Sequence, residues 1–125
     1  MTPNEIKILA VDDEVNFADF IFEYFSARGY PIDTAQTPMD ALSKFEKNKY
    51  SVVLLDFKIP GMHGDELMEK MLKIDPTVKV IIITAFNDSA VNSLNLLKKG
   101  ACAYVEKPIV SIKHLETIIN DCLKS

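Results

Sequence analysis

Several things are scarce or missing in this 125-residue chain. It has two cysteines, Cys102 and Cys122, at a spacing that matches no zinc or redox motif. Two isolated thiols suit a reducing compartment, where cysteine is mostly a small buried hydrophobe. The four glycines, Gly29, Gly61, Gly64 and Gly100, make no glycine-rich loop, which excludes the common nucleotide-binding signatures. Positive charge is not in excess: the formal net charge is -4, against any broad phosphate-driven affinity for nucleic acid. The start, Met1-Thr2-Pro3-Asn4-Glu5, lacks the basic and apolar regions of a signal peptide. No apolar run approaches a membrane span. These absences lead us to expect a cytoplasmic protein that binds neither nucleic acid nor membrane.

Nearly half of the residues, 48%, are hydrophobic, enough to build a core without disulfides or a structural metal. The length fits one domain over 1–125, with a core over about 6–123. Five apolar runs read as strands: Ile6–Val11, Ile32–Ala35, Val52–Leu55, Val78–Ile83 and Ala101–Val105. Three are almost continuously apolar, as strands covered on both faces are. Helix-period segments alternate with them, over Val15–Arg28, Met39–Asn48, Gly64–Ile74, Ala90–Lys99 and Ser111–Leu123. Gly29 and Gly100 stand where helices stop, Pro76 follows the third helix, and Thr37-Pro38 marks the start of the second. Strict alternation predicts an α/β, doubly wound domain: a parallel sheet with helices on both faces and right-handed crossovers.

In such a sheet ligands bind beyond the carboxyl ends of the strands. Asp12 and Asp13 follow the first strand, Asp56 follows the third, Thr84 ends the fourth and Lys107 follows the fifth. Five polar residues from four strands thus converge on one edge. Singly each has a plain reading: Asp12 and Asp13 suit a helix start, Asp56 a solvated loop, Thr84 a strand end and Lys107-Pro108 a turn. Their convergence favours a site. Two carboxylates about 4 Å apart repel by about 4 kcal/mol at an effective dielectric of about 20, which is large beside a domain stability of about 5–15 kcal/mol. A hard divalent cation resolves that repulsion, and Mg²⁺ favours a few carboxylates with water and phosphate. Lys107 adds a cation and Thr84 a hydroxyl, both able to bind phosphate oxygens. The set describes phosphoryl transfer to a carboxylate nucleophile.

Four pieces carry a resemblance: Ile8-Leu9-Ala10-Val11-Asp12-Asp13-Glu14, Leu54-Leu55-Asp56-Phe57-Lys58-Ile59-Pro60-Gly61-Met62-His63-Gly64, Ile83-Thr84-Ala85, and Gly100-Ala101 through Lys107-Pro108. In this order, on these elements, the chain from Ile6 to Leu123 resembles the receiver domains of two-component signalling. The resemblance implies a flavodoxin-like (βα)5 sandwich with strand order 2-1-3-4-5. It implies a phosphoacceptor rather than a turnover enzyme, with Asp56 taking the phosphoryl group. Asp13, Asp56 and the Lys58 backbone carbonyl would ligate Mg²⁺, with Mn²⁺ a substitute, and Asp12 would act mainly through water. Thr84 and Lys107 would bind the phosphoryl oxygens, Tyr104 would be a switch that moves inward, and Lys107-Pro108 would be cis. The donor would be phosphohistidine on a kinase or phosphotransfer protein. The output would be a partner protein or a linked domain, and the chain a monomer or weak phosphorylation-dependent dimer. The sequence departs from the family at His63, where Asp is commoner; on a loop surface this touches nothing catalytic.

Other classes fit less well. An aspartyl-phosphate phosphatase wants two acids one residue apart after the first strand, where Asp12 and Asp13 are adjacent. A flavodoxin-like cofactor carrier wants a hydroxyl-rich loop there. A receiver that no longer takes phosphate would have lost part of the site, and here every expected residue is present.

Two local readings complete the set. Lys58 and Phe86 are expected at the pocket rim, where neither offers an acceptor to orient an attacking water, so dephosphorylation should be slow. On the first helix Phe17, Phe20, Ile21 and Tyr24 form a stripe expected to face the sheet, with Phe25 on its border. Ala18 and Phe22 are expected to point outward, where Phe22 could anchor a helical phosphodonor. His63 and His114 lack ligand spacing, and Met62, Met68 and Met71 suit packing.

Overall fold

The structure is a computed structural model that describes residues 2–85 and 93–124. A 3-10 turn, Pro3–Glu5, leads into β1 (Ile8–Val11), α1 (Val15–Ala27), β2 (Ile32–Ala35), α2 (Pro38–Lys44) and β3 (Val52–Asp56). Two short strands, β4 (Lys58–Ile59) and β5 (Met62–His63), precede α3 (Gly64–Ile74). The chain continues through β6 (Lys79–Ala85), α4 (Ser93–Lys98), β7 (Ala103–Lys107) and α5 (Ile112–Lys124).

Five strands form one parallel sheet in the order β2-β1-β3-β6-β7, which is the expected 2-1-3-4-5 when only these strands are counted. The strands alternate as a pleated sheet must. Leu9, Val11, Val53, Leu55, Val80 and Ile82 turn to one side, where Ala41 of α2, Leu67, Met68 and Met71 of α3 and Leu96 of α4 cover them. Ile8, Ala10, Val52, Leu54, Ile81 and Ile83 turn to the other, under Ile21 and Phe25 of α1 and Leu115 and Ile119 of α5. Double burial explains why β1, β3 and β6 are nearly unbroken apolar runs.

Several boundaries move, each for a local reason. The first strand starts at Ile8 because the 3-10 turn ends on Ile6, whose N–H bonds the Pro3 carbonyl. The second helix stops at Lys44 instead of Asn48: Phe45 takes extended backbone and buries its ring beside that of Tyr50, 6.1 Å away. Its start is as read, with the Thr37 side chain accepting the Asp40 N–H at 3.0 Å. Gly29 and Gly100 take φ of +93° and +122°, as residues closing α1 and α4 should. The third, fourth and fifth sheet strands run further toward their carboxyl ends than expected, so Asp56, Thr84 and Lys107 stand on the sheet itself. The fourth helix is described from Ser93; its expected start at Ala90 lies outside the described residues.

Two expectations are corrected. The first helix is rotated from the stripe read in the sequence. Ile21 faces the sheet, but Ala18 and Phe25 join it in burial, while Phe20 is exposed and Phe17 and Tyr24 are half-buried. The i, i+3, i+7 line of 18, 21 and 25 carries the contact because small Ala18 lets the helix sit close to the strands. Phe22 is exposed as expected; Ala18 is not. The cysteines are likewise not isolated. Cys102, just before β7, and Cys122, on the last turn of α5, are joined as a disulfide, because α5 packs back along the edge strand.

Candidate phosphorylation site

Each site residue is placed by the end of a strand. Val11 and Leu55 pair directly in the parallel register, so the residues that follow them, Asp12 and Asp56, emerge side by side. In the next pairings Asp56 stands opposite Ile83, and Ala85 opposite Lys107. Asp12 is held by local chemistry too: its Oδ1 accepts the Glu14 N–H at 2.9 Å, shaping the loop into α1. Glu14 takes the N-cap position but makes no side-chain capping bond, so Asp12 and Asp13 do not cap the helix in the ordinary way. Asp12 and Asp56 are buried, and Asp13 is exposed at the mouth.

Asp12, Asp13 and Asp56 each offer a carboxylate oxygen, all within 4.8 Å of one another. Oxygen-only donors, one solvent-facing, suit a hard cation that retains water, which fits Mg²⁺ and also Mn²⁺. The electrostatics agree. Burial, then the neighbouring Asp12 carboxylate, push the Asp56 acid up to about 6 against the opposing pull of Lys107.

Lys107 reaches into this cluster. Its Nζ donates to Asp12 Oδ2 at 2.8 Å and to Glu14 Oε1 at 2.9 Å, and lies 3.6 Å from Asp56 Oδ2. It also sits 4.3 Å from the centre of the Phe17 ring, over its face. Burial works against its charge, but the hydrogen bonds to Asp12 and Glu14 outweigh that and hold the ammonium above the usual lysine range. The peptide bond that follows, Lys107-Pro108, is cis as expected. Thr84 is buried, and among the described residues its hydroxyl finds no hydrogen-bond partner. A lone buried hydroxyl is a standing cost in the resting protein and a ready donor to an arriving oxygen.

The remaining expected residues fall around this centre. The Lys58 N–H points at Asp56 Oδ1, 3.3 Å away, and its side chain is exposed at the rim. Tyr104 is 37% exposed, on the outer position of β7. Phe86 lies outside the described residues. His63 is exposed and is the N-cap of α3, without a side-chain capping bond. An Asp there would supply one, so the departure concerns the helix start and not the chemistry. His114 is exposed, while Met68 and Met71 are core.

Sequence reading gave no part to three residues that shape the site. Glu14 and Phe17 hold Lys107; their proximity depends on the angle at which α1 leaves β1, which no spacing reports. The β4–β5 hairpin brings Gly64 back over the strand end, where a Cβ would lie 2.8 Å from the Phe57 Cα and 2.9 Å from the Asp56 carbonyl oxygen. Only glycine leaves room there.

Comparison with known proteins agrees with the geometry. The model of the response regulator receiver domain family matches residues 8–120. Sporulation initiation phosphotransferase F of Bacillus subtilis is 36% identical over 106 residues, covering 82% of each chain. A response regulator receiver domain protein from Clostridium thermocellum superposes with a TM-score of 0.86 at 30% identity, over 95% of this chain and 94% of that one. The transcriptional regulatory protein ZraR of Escherichia coli is 28% identical over 87% of this chain, which spans only 24% of ZraR. The chain belongs to the response regulator receiver domains, phosphoacceptor signalling modules that are phosphorylated on aspartate with Mg²⁺ and do not work as turnover enzymes.

Proposed function

We propose that Asp56 is the phosphoacceptor of a two-component relay, receiving its phosphoryl group from a phosphohistidine. The carboxylate attacks phosphorus, the N–P bond breaks, and the imidazole leaves with its electron pair and takes up a proton. Asp13, Asp56 and the Lys58 carbonyl would hold Mg²⁺, with Asp12 acting mainly through water. Bound there, the cation would neutralise the phosphoryl oxygens as charge develops. Lys107 exchanges its carboxylate contacts for one phosphoryl oxygen and Thr84 donates to another. Tyr104 then turns inward toward the space that Thr84 leaves. The observation that carries the reading is Lys107, a cation drawn to the buried carboxylates of Asp12 and Asp56, 3.6 Å from the latter.

The donor would be a histidine kinase or histidine phosphotransfer protein. An open, largely apolar cavity of about 480 Å³, lined by Phe17, Phe20, Lys107, Pro108 and Ile109, adjoins the site and supports docking there. With Ala18 buried, Phe20 joins Phe22 as the exposed anchor on α1. Exposed Leu94, Leu97 and Tyr104 support the α4–β7–α5 face as the contact for a target, an output domain or a weak dimer. The partial coverage of ZraR supports a linked output domain as one arrangement. We read the whole chain as one receiver unit, working in the cytoplasm; among the described residues no helix is long and apolar enough to cross a membrane.

Incubation with Mg²⁺ and a small-molecule phosphodonor, followed by intact mass, should give a phosphate-sized gain that Asp56→Asn abolishes. No gain with small donors or with candidate kinases would overturn the reading in favour of a pure interaction module. Followed in time, the same assay tests the rim: the phosphoryl group should persist in the wild type and decay faster in Lys58→Asn. Faster decay in the wild type would refute that role for Lys58.

A further inference from the structure

The disulfide is the feature of this molecule that the phosphorylation site does not use. Cys102 and Cys122 are 20 residues apart in sequence and 6.1 Å apart at their Cα atoms. Cys102 immediately precedes β7, and Cys122 sits on the last turn of α5. The bond therefore ties the far end of α5 to the start of the strand that ends on Lys107. Among the described residues β7 is an edge strand, hydrogen-bonded within the sheet to β6 alone. On its other flank its position depends on the helices, so a covalent link to α5 restrains it more than it would a central strand.

A polar attachment of α5 is independent of the sulfurs. Glu116, buried, accepts from Tyr24 Oη at 3.0 Å, Arg28 Nε at 2.9 Å and Tyr30 Oη at 2.7 Å, and so holds α5 to α1 and the α1–β2 loop. Loss of the disulfide would remove the covalent tie on the β7 side of α5, leaving apolar packing there, and keep the α1 side fastened through Glu116. Access exists as well. Cys122 is buried but Cys102 is only half-buried, and an open cavity of about 320 Å³ is lined by both cysteines with Ala103, Ile118 and Asp121. In the cytoplasm, where the proposed function places this chain, disulfides are usually transient and catalytic or redox-sensing.

We infer that Cys102 and Cys122 form a thiol–disulfide exchange site for dithiol reductants, which sets how firmly α5 holds the strand that carries Lys107. A reductant thiolate attacks Sγ of Cys102, the less buried residue of the pair; the S–S bond breaks and Cys122 leaves with the electron pair and takes a proton. The second thiol of the reductant then attacks the mixed disulfide. Cys102 is released as a thiol, and the reductant departs as its own disulfide. Two electrons and two protons pass to the protein. From Ala103 to Lys107 the strand spans about 13 Å at about 3.3 Å per residue, so this chemistry takes place at the opposite end of β7 from Asp56.

The test equilibrates the full chain in mixtures of reduced and oxidised dithiothreitol, alkylates it with N-ethylmaleimide, and reads intact mass and hydrogen exchange on parallel samples. The oxidised protein should take no label and the reduced protein two, both appearing in one transition. Exchange over 102–107 and 118–124 should rise at least tenfold on reduction, and the Tm should fall by roughly 5–10 °C. The double variant Cys102→Ser/Cys122→Ser should exchange like reduced wild type in either buffer. Full labelling under oxidising conditions would overturn the proposal, as would equal exchange in the two redox states or a double variant that behaves like the oxidised protein.

Discussion

Among single residues, Thr84 separates stability from function most sharply. Its buried hydroxyl has no partner among the described residues, so Thr84→Val removes an uncompensated polar group of nearly the same shape. The variant should be as stable as wild type or up to about 1 kcal/mol more stable, read by thermal unfolding. Phosphorylation should still mark Asp56, while any phosphorylation-dependent change at Tyr104, followed by NMR, should disappear. A clear loss of stability would show that the hydroxyl has a partner in the resting protein. At this scale the sequence was informative about identity and silent about state. Thr84, Lys107 and the three aspartates were legible because strand ends in a parallel sheet share one edge. That Lys107 rests on Asp12 and Glu14, with Phe17 beneath it, depends on how far a four-carbon side chain folds back.

At the scale of elements, the α1–α5 seam centres on Glu116. Burial works against its charge, but hydrogen bonds from Tyr30, Arg28 and Tyr24 outweigh it and hold the carboxyl below the ordinary glutamate value of 4.5. A depressed folded-state value means that the ion stabilises above the unfolded value and that this contribution is lost as pH falls through the folded one. Glu116→Gln should cost about 1–2 kcal/mol at neutral pH, or roughly 4–8 °C in Tm, since the Arg28 partner is half exposed and adds little. The gap between wild type and variant should narrow as pH drops from about 6 through 4.5 and below; a gap that widened would contradict the assignment. Neither this network nor the rotation of α1 was legible in the sequence. Both depend on which helices become neighbours, and a stripe with Phe at 17, 20, 22 and 25 fits more than one rotation.

For the molecule as a whole, the carboxylate cluster links fold stability to the cation. Above its dissociation constant, each tenfold increase in Mg²⁺ should add about 1.4 kcal/mol to unfolding free energy. Asp13→Asn should abolish most of that gain. It should leave metal-free stability unchanged or slightly higher, because Asp13 is exposed and repels Asp12 and Asp56. Thermal unfolding of both proteins across a Mg²⁺ series, with a chelator control, decides this. A wild type indifferent to Mg²⁺ would refute the cation site.

By itself the sequence determined the layered sheet, its alternation and the edge at which the polar residues gather, because burial on two faces and strand period are written in residue type. It also carried the family, through motifs that stand in order on those elements. Tertiary structure decided the rest: which side of α1 meets the sheet, why Gly64 admits no side chain, and that Cys102 meets Cys122. Each of these is a contact between segments distant along the chain. Spacing constrains what a segment can become, and only packing decides what it then touches.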